Sequence, residues 1–532
     1  MILKLKMLAT ELSCCLLITA VCLAIGLPRY LRNIDLRDEG FLAYGAVRVM
    51  EGKIPNRDFV SLQPPLSFYT LAAVFKLFGT SLVSLRTLGL AVYILIAILV
   101  YAISRNLTGR IASLCAAIPA TVIGMPFFDF VPSAVWQGVL AILMAMFLFM
   151  HAMTTNNRRW AFLAGLATAA AILSRHDQGF YLTIAVLLYV SAIKYGKQKT
   201  IEKPYLGQML GFWTAGIMLI MLPLGIYWLF CGAVPYMFKQ LIVFPLTTYA
   251  RTSSLPMLTF ESQGPLRDGI ITAMYYLPPV VYALTAIWMV ITLIRRRFCA
   301  DHAGVAFVLV VSIFFYCQVL TRSDLHHLII TLPPFFILYM WCAQAVSRTL
   351  SNVFAKRYMW RKPAATRICA AAILLTVCAA TLSVLLYTEP VFLESLKTPK
   401  TLLSLERAGV WLKPEGTQLL DTVTKIIHSN AEPNDAILCL PYAPMYYFLS
   451  ARHNPTQWNY LWPGDQTVGD HQTLVKQAKM DAPAVVIIVN KDWMQVHAPI
   501  IDAYVKSEYK AAFNLETMAI YLPLNRQKDN KP

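Results

Sequence analysis

Apolar stretches of about 20 residues recur along this 532-residue chain, each long enough to cross the hydrocarbon core of a bilayer. A soluble domain of ordinary composition carries about 25% charged residues. Here 14% are charged and 58% are hydrophobic. Backbone crossing lipid must satisfy its own hydrogen bonds, so these stretches are expected to be helices. They fall near 8–27, 83–104, 111–125, 134–152, 160–174, 180–195, 209–230, 271–294, 303–320, 328–347 and 368–387. The pattern predicts a mainly α, polytopic membrane protein of about 11 spans. The first stretch lacks a clear small-residue cleavage site before Asp38 and reads as a retained span.

The net charge of +18 would suit a nucleic-acid binder, but its distribution argues against one. Much of the excess lies in short loops: Lys4 and Lys6, Arg105 and Arg110, Arg158 and Arg159, Lys194 to Lys203, Arg295 to Arg297, and Arg348 to Arg367. Such residues set topology, and with the N-terminus cytoplasmic every group falls on the cytoplasmic face. The opposite face then receives Asp38 and Glu39, Asp129, the Arg175-His176-Asp177 turn, the 231–270 loop and the turn from Arg322 to His327. The first outer loop, about 28–82, is itself rich in Arg and Lys, against the usual rule. Phosphate binding would explain that exception. Its segment from Pro64 to Gly79 is apolar but short, and reads as a helix lying in the interface.

Beyond Tyr387 the composition turns polar. Residues 416–430 have helical periodicity, and 445–452 read as a second helix. Short apolar runs at 436–441, 484–489 and 518–523 read as buried strands. Two domains are therefore expected: a transmembrane module over 1–387 and an extracytoplasmic α/β domain over 388–532. Of the 11 cysteines, none shows CxxC or Cys/His metal spacing, and those in apolar spans read as packing residues.

Candidate chemistry concentrates in the outer turns. Asp38 and Glu39 are neighbouring carboxylates beside a span, suited to general-base work or to a divalent metal such as Mg or Mn. The bland alternative is a solvated loop with local ion pairs. Asp129 is either a second functional acid or a helix cap. Arg175 and His176 are either phosphate contacts or an ordinary interfacial turn. In TRSDLHHL, Arg322 suits phosphate, with His327, Asp324 and His326 as companions. The plainer alternative is an Arg–Asp pair bracing the helix start. Adjacent histidines chelate one ion poorly, which argues against a metal there. Arg57 and Arg86 are further phosphate candidates. Lys239, Tyr249 and Arg251 lie in a long loop that could cover a lipid. In the tail, Tyr446, Tyr447, Arg452 and Trp458 are explained more simply by packing than by recognition.

The series Asp38-Glu39-Gly40, Ala43-Tyr44, Gly52, Pro55, Asp58, Pro64-Pro65-Leu66, Phe78-Gly79 and Arg86 resembles the first outer loop of GT-C glycosyltransferases. The nearest likeness is to glycosyltransferase family 39, which includes protein O-mannosyltransferases, and to aminoarabinose transferases that modify lipid A. The likeness is good over about the first 110 residues and looser beyond. Gln63 stands where aminoarabinose transferases carry a Lys. The resemblance implies an inverting transfer of a sugar from a polyprenyl-phosphate carrier to an acceptor hydroxyl, at the outer face of a bacterial inner membrane. It implies Asp38 as base, Glu39 as its orienter or a cation ligand, and Asp129 as a second acid. Two other classes remain open: a transporter or flippase of lipid-linked sugars, and a non-enzymatic protein whose outer domain binds a glycan. A transporter would be expected to place polar groups near the midplane rather than at one face.

Overall fold

A computed structural model describes residues 2–124, 130–195, 203–257, 266–295, 300–357, 398–462, 464–515 and 517–524. Helices occupy the expected spans within that range: α1 (Ile2–Gly26), α4 (Leu82–Leu107), α5 (Arg110–Val122), α6 (Ala134–Thr155), α7 (Arg158–Ser174), α8 (His176–Tyr195), α9 (Lys203–Phe230), α12 (Leu266–Ile294), α13 (Ala300–Thr321) and α14 (Leu325–Arg357). The expected span at 368–387 lies outside the described residues. Seven helices among the described residues are long and apolar enough to cross a bilayer by length and composition. The chain is a multi-pass membrane protein.

Side chains such as Leu219 and Leu222 on α9 and Ile287 and Leu293 on α12 point outward and stay exposed, as lipid-facing residues do. The closest helix crossing is α7 on α9. A Cβ on Gly165 would lie 2.0 Å from the Trp213 carbonyl, and one on Gly216 would lie 2.2 Å from the Phe162 carbonyl. Small residues at a crossing let the backbones approach where lipid offers no hydrophobic drive for association.

The first loop is more ordered than its charge suggested. It holds α2 (Asp38–Met50) and the expected interfacial helix, α3 (Leu66–Phe78). After α9, α10 (Val234–Phe238) continues through two π-helical segments (Lys239–Val243, Pro245–Tyr249) into α11 (Ala250–Thr252). These pieces gather at one end of the bundle with the turns at 175–177 and 322–327. Asn56 donates to Gln240, and Leu255 bridges to Arg322. At the other end Glu11 takes Arg105 and Arg110 at 3.2 and 2.9 Å, and Gly109 meets Gln344. Arg105 and Arg110 thus lie at the opposite end from the turns at 175–177 and 322–327.

The C-terminal region supplies β1 (Thr401–Leu403), β2 (Val410–Leu412), α15 (Pro414–Asn430), β3 (Ile437–Leu440), α16 (Met445–Ser450), α17 (Val468–Met480), β4 (Val485–Ile488), α18 (Lys491–His497), α19 (Pro499–Glu508), β5 (Tyr509–Asn514) and β6 (Ala519–Pro523). The main sheet has the order β3-β4-β6-β5, with β3 and β4 parallel and the other pairs antiparallel. This region does not build its core alone. Phe41, Tyr44, Phe68 and Phe75 of α2 and α3 join Ile437, Met445, Tyr447 and Phe448 in one apolar cluster. Tyr44 stacks on Tyr447 at 4.8 Å and Phe75 on Phe448 at 5.8 Å. Gly40 permits the contact, because a Cβ there would lie 2.4 Å from the Met445 nitrogen.

Candidate functional site

The site is organised by how α1 hands over to α2. Asp35 accepts from the Asp38 backbone N–H at 3.2 Å and from that of Arg37 at 3.0 Å, starting α2 at Asp38. Glu39, one residue on, turns inward. Arg86 on α4 meets it with Nε at 2.6 Å from one carboxylate oxygen and Nη2 at 2.7 Å from the other. Both side chains are fully buried. Arg86 also donates to the carbonyls of Tyr30, Arg32 and Asn33 at 3.2, 2.5 and 3.1 Å. This pair clamps the exit of α1 and the start of α2 onto α4.

That geometry bears on two expectations. Glu39 meets Arg86 with both oxygens and accepts the Asp35 backbone N–H at 3.2 Å, so it holds Asp38 through the backbone at the start of α2 and is not free to ligate a cation. Arg86 is enclosed and committed to Glu39 and three carbonyls, so it does not reach a carrier phosphate. A Mg or Mn site built on Asp38 and Glu39 does not fit these residues. Among the described residues no group of three or more His, Cys, Asp or Glu side chains converges on one point.

Asp38 is the opposite case. Its side chain is exposed, and its carboxylate makes no hydrogen bond among the described residues. Desolvation and the nearby Asp35 raise its pKa above the usual carboxylate range. Arg37, His326 and Arg322 pull the other way. Asp38 thus lies within electrostatic reach of Arg322 and His326 from the 322–327 turn.

Within that turn, Arg322 Nε donates to Asp324 at 2.7 Å. Asp324 also accepts from the His327 backbone N–H at 2.9 Å and sits 2.7 Å from His327 Nδ1. Arg322 and His327 together hold the Asp324 carboxyl well below its usual range. Asp324, held by His327 and Arg322, thus braces the start of α14. The guanidinium of Arg322 leans toward Tyr249. Arg175 pairs with Asp177 at 2.6 and 2.9 Å and also lies near Tyr249. Tyr249 therefore joins the two arginine turns. His176 lies beside the π-helical stretch near Leu241, with its Nδ1 buried. Asp129 lies outside the described residues.

Arg57 belongs elsewhere. It forks onto Asp58 with two bonds of 2.8 Å and donates to the Cys231 carbonyl at 3.0 Å. It lines a separate cavity that does not include Asp38.

The sequence reading missed Tyr460 and Asp465. Tyr460 packs edge-on against Phe41 of α2 at 5.1 Å and feels the charges of both Asp465 and Asp38. Burial pushes the Asp465 carboxyl up to about 6, with Thr252 partly offsetting that. Asp465 Oδ1 is buried without a partner among the described residues. NYLWPGDQT carries an acid among aromatics, which is the only signal the sequence offered.

The fold as a whole is similar to that of several solved structures. ArnT from Cupriavidus metallidurans, bound to undecaprenyl phosphate, superposes with a TM-score of 0.57. The match covers 95% of this chain and 97% of that one at 13% identity. The Archaeoglobus fulgidus oligosaccharyltransferase tethered to an acceptor peptide superposes with a TM-score of 0.53, over 97% and 75% of the two chains at 13% identity. The chain shares the GT-C fold of these structures. The sequence profile of dolichyl-phosphate-mannose-protein mannosyltransferases matches residues 62–228, inside the GT-C helical module. No curated protein matches by sequence. The Archaeoglobus fulgidus enzyme AglB, in complex with an inhibitory peptide and a dolichol phosphate, has the same GT-C fold, at a TM-score of 0.52 and 12% identity over 97% and 75% of the chains.

Proposed function

We propose that this protein transfers a sugar from a polyprenyl-phosphate carrier to an acceptor hydroxyl, with inversion at the anomeric carbon. The observation that carries the reading is Asp38. It is an exposed carboxylate with no hydrogen-bond partner among the described residues, within electrostatic reach of Arg322 and His326, and the space between them is taken as the reaction cleft. The similar folds bound to undecaprenyl phosphate and dolichol phosphate support a lipid-phosphate donor.

In this reading Asp38 accepts the proton of the acceptor O–H. The acceptor oxygen attacks the anomeric carbon as the bond from that carbon to the carrier phosphate breaks. The phosphate leaves with the bonding pair, and Arg322 holds its charge, with Arg175 behind it. A phosphate leaves as an anion, so no strong general acid is required. The raised pKa of Asp38 makes it a better proton acceptor than an ordinary surface carboxylate. The Glu39–Arg86 clamp fixes α2 so that Asp38 points into the cleft. The reaction belongs to the outer face of a bacterial inner membrane, with the N-terminus cytoplasmic and residues 388–532 extracytoplasmic. Lipid A, another envelope glycan or a protein would supply the hydroxyl.

The test is a transfer assay with purified protein, labelled undecaprenyl-phosphate sugars and an envelope extract as acceptor. Wild type should label an acceptor and Asp38→Asn should not. Full transfer by Asp38→Asn would remove Asp38 as the base.

A further inference from the structure

A polar cavity among the described residues lies away from Asp38. It lies at the far end of α2, between that helix and the C-terminal region, and measures about 730 Å³. Ten residues of α2 separate Asp38 from Arg48 on its wall, or about 15 Å along the helix.

The charges lining it do not balance. Arg57 is taken by Asp58, and Asp481 is paired with His453 at 2.7 Å. That leaves Arg48, Lys53, Arg407 and Arg452, four cations, facing the carboxylates of Glu51 and Asp481. Arg48 is only 6% exposed, yet every partner it has is neutral. It donates to the Thr456 carbonyl at 3.2 Å, to Asn459 Oδ1 at 3.0 Å and to the Asp58 backbone carbonyl at 3.0 Å. Arg407 donates to the Phe448 carbonyl at 3.2 Å and lies over the Phe448 ring. Neither guanidinium has a carboxylate within ion-pairing distance among the described residues. Burial lowers the pKa of Arg407, only partly offset by Glu406 and Glu51 at longer range. Enclosed cations with no counter-charge are costly, and an anion entering the cavity would relieve that cost. The rest of the wall, including Asn434, Gln457 and Gln477, offers amides of the kind that hydrogen-bond sugar hydroxyls.

We infer that this cavity is a binding site for an anionic saccharide, bearing phosphate or carboxylate groups, and that it holds a segment of the acceptor away from the reacting hydroxyl. The acceptor role rests on the transfer reading; the binding site does not.

The experiment uses the full chain in detergent and measures binding of four probes. These are a galacturonate tetrasaccharide, maltotetraose with a terminal 6-phosphate, plain maltotetraose and inorganic phosphate. At least one charged saccharide should bind, weakening as salt rises. Inorganic phosphate and plain maltotetraose should bind at least about tenfold more weakly, since each lacks half of the recognition. The double variant Lys53→Ala/Arg407→Gln should lose at least about tenfold in affinity. Lys53 is exposed, so Lys53→Glu alone should also weaken binding without unfolding the protein. Asp38→Asn should bind the probe as wild type does. The inference is overturned if neither charged saccharide binds, if inorganic phosphate binds as tightly, or if Lys53→Glu and the double variant bind unchanged. Loss of binding in Asp38→Asn would place the probe in the Asp38 cleft instead. Binding that persists where no sugar transfer occurs would leave the site standing and remove its acceptor role.

Discussion

Replacing Glu39 with Gln separates a structural role from a catalytic one. The substitution keeps shape and volume but leaves Arg86 as a charge enclosed at 0% exposure, opposite an amide. Of the five hydrogen bonds Arg86 makes to Glu39 and to the 30–33 carbonyls, the two to the carboxylate are the charge-assisted ones. An amide can accept only one of them and turns an N–H toward the other donor. Breaking a buried pair from one side costs about 3–5 kcal/mol. Because the clamp ties α1, α2 and α4 together, that loss should appear in global unfolding, as a fall in melting temperature on the order of 3–5 °C. The double variant Glu39→Leu/Arg86→Met should recover much of it, since neither charge is left alone. Recovery should be incomplete, because the Tyr30, Arg32 and Asn33 carbonyls still lose their donor. The assay is thermal unfolding of purified protein in detergent at fixed scan rate. An unchanged melting temperature in Glu39→Gln, together with lost transfer, would refute the clamp and return Glu39 to the chemistry.

Other expectations follow from the same geometry. Arg322→Gln should weaken binding of undecaprenyl phosphate by roughly tenfold or more, the worth of a charge-assisted contact, as read by direct titration. Transfer should fall as pH drops through the pKa of Asp38, because the base must be ionised, and the inflection should lie above that of an ordinary aspartate. Asp465 has a folded pKa of about 6 against a reference of 3.8, so its contribution favours folding at low pH and is lost as pH rises through about 6. Asp465→Asn should therefore gain in melting temperature relative to wild type between pH 5 and pH 7, values chosen as roughly bracketing that pKa; a constant difference would contradict it. Gly40→Ala should cost about 1–3 kcal/mol by forcing α2 from α16, seen as lower thermal stability and reduced transfer together.

Much of the helical module was legible because lipid leaves the backbone little choice: long apolar runs became helices within a few residues of their expected ends. The strands at 437–440, 485–488 and 519–523 were legible for a related reason, being short runs buried on both faces. Other features were hidden because they depend on partners distant in sequence. Nothing local distinguishes Asp38 from Glu39; Arg86, 47 residues away, claims one and leaves the other. The cations of the first loop were read as one phosphate-binding group. Folding divides them, with Arg86 in the clamp and Arg48 and Arg57 in the far cavity. The C-terminal region looked separate because its composition changes at Tyr387, yet its aromatics share a core with α2 and α3. Asp465 went unnoticed because its environment is made in part by Thr252, from a segment distant in sequence.

The central claim is that Asp38 takes the acceptor proton while other residues hold the lipid. The most direct test measures, on the same Asp38→Asn preparation, sugar transfer from undecaprenyl-phosphate donors and binding of undecaprenyl phosphate. Transfer should fall by roughly 10²–10⁴-fold, the usual worth of a general base, while binding stays within about twofold of wild type. Transfer that survives, or a parallel loss of carrier binding, would contradict the assignment.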